Sequence, residues 1–126
     1  MELEYTKRDA EIADILKEIG LRTNEARILV LFFKRVDLSS REVERISDLR
    51  QPEVSIALTH LIKKRWVQVV RHITENKGRP VKIYNLSGSV DEILDEIEQE
   101  IGTEYKGKMG SLERIRLLVR EVGARE

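Results

Sequence analysis

Residues 39–64 read SSREVERISDLRQPEVSIALTHLIKK, a pattern that predicts two short amphipathic helices separated by a tight turn. The first helix is expected to open at Ser39 or Ser40, and Glu42 stands at capping-box spacing from Ser39. The apolar residues Val43, Ile46 and Leu49 recur at helical spacing and form one stripe. The periodicity breaks after Leu49, so the next helix needs a start of its own.

The second helix is expected to run from about Pro52 to Lys64. Proline fits the first turn of a helix because its missing N–H would have no intrahelical partner there. The inner stripe of this helix is expected to consist of Val54, Ala57, Leu58, Leu61 and Ile62. The outer face is expected to carry Ser55, Ile56, Thr59, His60 and Lys63.

A β-hairpin is expected after this helix. The segments WVQVVRHI (66–73) and VKIYNLS (81–87) are rich in β-branched and aromatic residues, and TENKGRP between them is a loop sequence with glycine and proline. Trp66 directly follows the second helix, and we expect it to fill the core between helix and hairpin rather than to stack on a base.

Further helices are expected on both sides of this central part. Apolar spacing predicts one helix over 9–18 and a second over 23–35, which should be the most buried. A helix is also expected over 89–101. The segment GTEYKGKMGS (102–111) contains three glycines and is expected to break or loosen it, and the apolar seam resumes at Leu112.

Composition excludes several classes of protein. The chain has 126 residues, 40% of them apolar, enough for a single core, and neither a membrane span nor a secretory signal is expected, so the protein should be cytoplasmic. Cysteine is absent and the two histidines lack metal-ligand spacing, so we expect no catalytic residue, no metal site, no cofactor and no enzyme activity. The charged fraction of 37% is typical of many proteins from hot environments.

Charge is unevenly distributed along a chain whose formal net charge is zero. Residues 41–82 carry 10 basic and 5 acidic side chains, a net charge of +5, whereas 1–40 carry −1 and 83–126 carry −4. A basic centre in a neutral chain is typical of a local surface for an anionic partner rather than of a uniformly basic nucleic-acid binder.

The segments LRTNEARILVLFFKR, SSREVERISDL, QPEVSIALTHLIKKRWVQVV and KGRPVKIYNLS resemble winged helix-turn-helix transcriptional regulators of the archaeal TrmB-like and MarR or ArsR kinds, over residues 21–88. The resemblance implies an α+β, mainly α, fold with a DNA-binding domain at 1–88 and a helical dimerisation extension at 89–126. It also implies a recognition helix of about 52–64 in the major groove and a wing of about 67–86 on the flanking minor groove or backbone.

Two positions depart from the pattern of this superfamily. Arg65 stands where such proteins often have a glycine after the recognition helix, which predicts a different turn. Ile56 stands where they often have arginine or another polar residue, so recognition is expected to depend more on phosphates and DNA shape than on direct base reading.

The resemblance directs attention to polar and basic residues around the second helix and the hairpin. Short hydroxyl side chains can meet a base edge or a phosphate, and the KGRP segment at the hairpin tip can place an arginine in a minor groove. The alternatives are an ordinary solvated helix face and a charged, soluble turn. The residues predicted to contact DNA are Arg50, Gln51, Ser55, Thr59, Lys63, Arg71, Lys77, Arg79 and Lys82.

The carboxy-terminal apolar seam is expected to pair with a second copy of the chain, because a small winged domain cannot cover it. The predicted dimerisation residues are Ile93, Ile97, Ile101, Leu112, Ile115 and Val119. No residue pattern indicates a small-molecule effector site. The sequence leaves two functions open: a homodimeric regulator that binds double-stranded DNA, and a winged-helix module that docks a protein of the transcription machinery through its acidic tail.

Overall fold

A computed structural model describes residues 3–74 and 80–125 of the chain. Over these ranges the chain is mainly helical with one small antiparallel sheet, which confirms the expected α+β class. None of the described helices is both long enough and apolar enough to cross a bilayer. The elements in chain order are α1 (Lys7–Glu18), α2 (Thr23–Phe32), β1 (Leu38–Ser39), α3 (Ser40–Ser47), α4 (Gln51–Lys63), β2 (Val67–Thr74), β3 (Pro80–Leu86) and α5 (Val90–Arg125).

The molecule divides into two compact units, Met1–Val90 and Asp91–Glu126. The first unit contains α1 to α4 and the sheet, and the second is formed by α5. The predicted helices over 9–18 and 23–35 correspond to α1 and α2. The helix α1 begins two residues earlier than predicted because Thr6 caps it: its hydroxyl accepts from the amide of Asp9, and its own amide donates to the Asp9 carboxylate.

The core of the first unit is built around α2, as predicted. Seven of its ten residues are buried, among them Ile28, Leu29 and Phe32. Trp66 is only 2% exposed, which confirms the prediction that it fills the core. Such burial removes large apolar surfaces from water and is the main favourable contribution to folding.

Four of the five apolar positions predicted for the inner stripe of α4 are buried. The exception is Ile62, which is 37% exposed, so its placement on the inner stripe was wrong. Successive helical residues are turned by about 100°, and Ile62 follows the fully buried Leu61. This rotation carries Ile62 from the core to the edge of the outer face.

The capping box predicted for α3 is confirmed. The amide of Ser39 donates to the Glu42 carboxylate over 3.0 Å, and the amide of Glu42 donates to the Ser39 hydroxyl over 3.2 Å. The helix α4 begins in a related way, because the amide of Arg50 donates to the carboxylate of Glu53 over 3.0 Å. Both helices therefore start with their exposed amides partly satisfied by local carboxylates.

The predicted hairpin is present, but the sheet has a third strand that was not predicted. The order is β1-β3-β2, and β1 pairs Leu38 with Tyr84 and Ser39 with Ile83. A two-residue strand has no alternation of polar and apolar residues that a sequence pattern could reveal. The strand joins the segment before α3 to the outer edge of the hairpin.

The prediction that glycines break the carboxy-terminal helix was wrong, because α5 is one continuous helix of 36 residues. A Cβ added at Gly102, Gly107 or Gly110 would meet no atom within 4 Å, so these glycines serve no close approach within the chain. Glycine weakens a helix by about 1 kcal/mol relative to alanine, but unlike proline it keeps its backbone hydrogen bond. The helix therefore continues through all three.

The helices α1 and α4 end in the same type of turn. Gly20 closes α1 with a φ of 119°, and Arg65 closes α4 with a φ of 65°. The amide of Arg65 donates to the carbonyl of Ile62, and the amide of Trp66 donates to that of Leu61, which is the Schellman pattern. The prediction of a different turn at Arg65 was therefore wrong, since the arginine adopts the conformation usually taken by glycine.

We expect Arg65→Gly to raise the free energy of unfolding by about 1 kcal/mol, because glycine adopts a positive φ without the steric cost of a Cβ. The matched control is Lys63→Gly, which also removes a long basic side chain but does so at the last helical residue of α4, where the backbone has a negative φ. It should lower the free energy of unfolding by about 1 kcal/mol. Urea denaturation of the three proteins tests this, and effects of the same sign would contradict it.

An ionic contact ties the start of α1 to the segment after α2. Asp9 is 5% exposed, and its carboxylate lies 2.6 Å from the Nζ atom of Lys34. Lys34 also donates to the carbonyl oxygen of Glu4. Burial by itself raises the pKa of Asp9, but hydrogen bonds from Lys34 and Thr6 outweigh it and hold the pKa below its ordinary value.

Stability should therefore depend on pH through Asp9. The carboxylate has a lower pKa in the folded than in the unfolded state, so it stabilises the fold above about pH 4 and its contribution is lost as the pH falls through the folded pKa. We expect Asp9→Asn to lower the free energy of unfolding by about 1–2 kcal/mol at pH 7, with a smaller loss at pH 3. Urea denaturation at pH 7 and at pH 3 measures the two losses, with Asp14→Asn at an exposed position of α1 as the control. An equal loss at both pH values would exclude the mechanism.

Candidate nucleic-acid interface

The turn between α3 and α4 is held in place by a side chain of α2. Asp48 adopts a left-handed conformation with a φ of 57° and ends α3. Directly before it, the carbonyl oxygen of Ser47 accepts a 2.6 Å hydrogen bond from Nε of Arg27. The guanidinium of Arg27 lies 4.2 Å from the ring centre of Tyr5, which fixes its plane. These contacts set where α4 begins.

A groove of about 240 Å³ runs between the exposed face of α4 and the hairpin. We call it the α4 groove. Four of its ten lining residues were predicted to contact DNA, three from the helix and one from the hairpin: Gln51, Ser55, Thr59 and Lys82. The other six were not predicted, and they include Ile62 and Tyr84.

Tyr84 was missed by sequence reasoning, although its position could have been found. It is two residues from Lys82 on β3, and residues at this spacing point to the same side of a regular strand. Burial raises the pKa of Tyr84, so its hydroxyl keeps its proton and can donate a hydrogen bond.

Arg71 does not line the α4 groove. In a regular strand Arg71 would point to the same side as Val69, but the register shifts between them, with Val70 as the additional residue. Val69 is therefore opposite Tyr84, whereas Arg71 is opposite Ile83. Since neighbouring residues on β3 point to opposite sides, Arg71 lies on the face of the hairpin away from the groove.

Arg71 is paired on that other face. Its Nη1 atom donates to Asp37 over 3.0 Å, and the amide of Asn85 donates to the second carboxylate oxygen over 3.1 Å. Gln68 in turn donates to Asn85 over 3.1 Å. The hydrogen bonds from Arg71 and then Asn85 hold the pKa of Asp37 below its ordinary value, so the carboxylate remains ionised and offsets the charge of Arg71.

The inner side of α4 is anchored by a buried carboxylate. Glu25 of α2 is 3% exposed, and its side chain approaches His60 Nδ1 at 3.2 Å and Lys64 Nζ at 3.5 Å. Arg22 reaches the same carboxylate at 3.7 Å from the solvent side. His60, which was expected on the outer face of α4, therefore makes a structural contact between α2 and α4.

The remaining predicted DNA contacts lie in different places. Arg50 borders the start of α4, directly before Gln51. Lys63 is exposed, but it borders a separate depression that also contains Arg22 and Lys64. Lys77 and Arg79 lie outside the described residues. Across residues 3–74 and 80–125 there is no group of three or more acidic or histidine side chains arranged to hold a metal ion.

The predicted dimerisation residues fall into two groups. Ile93 and Ile97 are buried, with exposures of 3% and 4%. The other four project from α5 and are between 41% and 64% exposed. They are Ile101, Leu112, Ile115 and Val119.

The first unit thus places a helix, a left-handed turn and a second helix beside a hairpin whose strand β3 is joined to β1. Among solved structures, TrmBL2, an archaeal chromatin protein with a novel mode of DNA binding, superposes with a TM-score of 0.72 over 93% of this chain. The fold is a winged helix-turn-helix. In it, α4 is the second helix of the helix-turn-helix and β2 and β3 form the wing.

Two further solved structures superpose on this chain. A possible transcriptional regulator from Methanosarcina mazei Go1 superposes with a TM-score of 0.62, covering 78% of this chain and 82% of its own. The multiple antibiotic resistance repressor MarR superposes with a TM-score of 0.52, covering 82% and 72%. The predicted resemblance to regulators of the TrmB and MarR kinds is thereby confirmed at the level of the fold.

These proteins are similar to this chain in structure but share little sequence identity with it. Identity is 19% to TrmBL2 and to the Methanosarcina protein, and 14% to MarR. The chain spans 42% of the TrmBL2 chain, so that protein contains a large part with no counterpart here. In sequence, the chain matches no protein-family model and no curated protein.

The anchor at Glu25 predicts a specific loss of stability. Glu25→Gln keeps the shape of the side chain but removes the charge that binds His60 and Lys64, and it should lower the free energy of unfolding by about 1 kcal/mol after allowance for solvent screening of the partly exposed partners. Hydrogen exchange should speed up in the second half of α4. The control Glu11→Gln, on the exposed face of α1, should change neither quantity. Unchanged exchange in α4 would refute the anchoring role.

Proposed function

We propose that the chain is a cytoplasmic transcriptional regulator that binds double-stranded DNA in a sequence-specific manner as a homodimer. In this proposal α4 enters the major groove and the wing contacts the flanking minor groove or backbone. The observation that carries the proposal is the α4 groove. It brings three polar side chains of the helix and a lysine of the wing to one open surface on a winged helix fold.

The spacing of the polar residues suits base reading. Gln51, Ser55 and Thr59 follow at intervals of four, so they lie on one side of α4 with little bulk between them. Glutamine can bind adenine through two hydrogen bonds, and serine or threonine can meet several base edges. The hydroxyl of Thr59 donates to the carbonyl of Ser55 over 2.8 Å, which leaves its oxygen able to accept from an amino group such as that of adenine or cytosine.

Apolar contact and charge would add to this reading. Ile56 is 59% exposed on α4, and an exposed apolar side chain there can contact the methyl group of thymine. Residues 41–82 carry a net charge of +5, and each lysine or arginine that neutralises a phosphate releases counterions. Arg50, Lys63 and Lys82 are the predicted cations among the described residues that lie on or beside α4 and the groove face of the wing. TrmBL2, which shares the fold, binds DNA.

A second candidate is supported by α5. Residues 91–104 carry seven acidic side chains and no basic one, and α5 is exposed over most of its length. Such a surface suits a basic protein partner better than DNA. In this alternative the winged domain docks a component of the transcription machinery, and the basic centre plays a minor part.

The two candidates differ in whether the chain binds DNA with an affinity that depends on salt. Fluorescence anisotropy with a labelled duplex from upstream of the gene, and with a scrambled duplex, should show tighter binding to the first and a steep loss of affinity as salt rises. Lys82→Ala should weaken binding and reduce the slope of the salt dependence by about one. Arg71→Ala, which removes an equal charge from the opposite face of the wing, should have a smaller effect.

Lys106→Ala provides a further control, because it removes one positive charge from α5 and should leave the affinity for the duplex unchanged. No binding to either duplex at low salt would refute DNA recognition by this protein and favour the interaction module. Equal losses for Lys82→Ala and Arg71→Ala would show that the α4 groove is not the contact surface.

A further inference from the structure

The helix α5 carries a row of large apolar side chains that are open to solvent. Nine of the described apolar side chains of α5 are between 41% and 64% exposed, although contact with water is unfavourable for them. Three of them are Met109, Leu117 and Leu118, and the other six form one row: Leu94, Ile101, Tyr105, Leu112, Ile115 and Val119. An apolar stripe along a helix of 36 residues, about 54 Å long, needs a partner surface.

The spacing of the row identifies the kind of partner. The intervals between these residues are seven, four, seven, three and four positions. Because an interval of seven is one step of four and one of three, the row follows a heptad repeat with alternating steps of three and four throughout. Only two seam positions within it are polar, Glu98 and Lys108. A heptad seam packs against another helix through interlocking side chains, rather than against a flat sheet or a lipid surface.

The charges on α5 identify how that second helix must run. From 91 to 104 the helix carries seven acidic residues and no basic one, a net charge of −7. From 105 to 125 it carries six basic and two acidic residues, a net charge of +4. Two such helices side by side in the same direction would place acid beside acid and base beside base, which is destabilising. In opposite directions each acidic half lies beside a basic half.

We propose that α5 pairs with α5 of a second copy of this chain in an antiparallel coiled coil, and that the opposed charges of its two halves select this direction. The inference rests on the homodimer of the proposed function and specifies its arrangement. The partner is a second copy because α5 supplies within itself both the apolar seam and the complementary charge.

The heptad positions fix the register. When Ile101 packs opposite the partner's Leu112, each of the remaining seam positions also lies opposite a seam position of the partner. Leu94, for example, lies opposite the partner's Val119. Lys108 then lies opposite the partner's Tyr105, whose ring can cover the aliphatic stem and attract the ammonium group. Beside the seam, Asp95 comes next to the partner's Arg116. Charged and polar residues at and beside a seam specify register in this way.

The absence of cysteine makes the direction measurable. Ile101→Cys and Leu112→Cys are prepared as separate full-length proteins, one of them enlarged by a tag, and are mixed, refolded together and oxidised. In the antiparallel pair the thiol introduced at position 101 needs to reach only across the seam to position 112 of the partner. In a parallel pair these positions are 11 residues, about 16 Å, apart along the axis, which is beyond the reach of a disulfide.

The expected result is that nearly all cross-linked protein has the mass of the mixed species, with loss of that band after reduction. Glu113→Cys in place of Leu112→Cys is the matched control, because it is one residue away but turned by about 100° from the seam. It should give little cross-linking with Ile101→Cys.

Light scattering and the duplex-binding measurement on the same samples separate the possible failures. A dimer that cross-links only like with like, or that does not cross-link, would overturn the antiparallel arrangement and leave the proposed function intact. A monomer that still binds DNA would overturn both this inference and the dimeric part of the proposed function. A dimer with mixed cross-links that fails to bind DNA would support the inference and refute DNA recognition.

Discussion

The position of α4 depends on its attachment to α2. A helix that must expose one polar face can be fixed only through its other face, so packing and polar contacts have to act on the same side. The apolar residues of α2 provide the packing surface, and Glu25 binds His60 and Lys64 in the second half of α4 and at its end. Arg27, two residues further along α2, holds the carbonyl group at the end of α3. One helix therefore determines both where α4 begins and how it is oriented.

Much of this could be predicted from sequence because the signals are local. The capping box at Ser39 and Glu42, the apolar stripes and the β-branched hairpin segments each act within a few residues, and each was found in the structure, apart from Ile62, which does not belong to the inner stripe of α4. The contacts of Glu25 and of Asp9 could not be predicted in this way. They join residues that are 35 and 25 positions apart, and nothing in the local pattern distinguishes them from other acids on helices.

The errors also have physical causes. The continuous α5 shows that glycine lowers helix propensity without removing a hydrogen bond, so three glycines did not end the helix. The orientation of Arg71 depends on a single additional residue in β2, and strand alternation read from sequence assumes that no such residue exists. The turn at Arg65 follows from the hydrogen bonds that close α4, which outweigh the usual preference for glycine.

The additional residue at Val70 gives the hairpin two electrically different faces. On one face the positive charge of Arg71 is balanced by the ionised Asp37, whereas the other face presents Lys82 to the α4 groove, where none of the described lining residues is acidic. When a polyanion approaches, it attracts the more positive face of the wing more strongly than the other face. This difference exerts a torque on the protein. Under the proposed function, the wing would be rotated into its docking orientation during the encounter, before any side chain has touched a base.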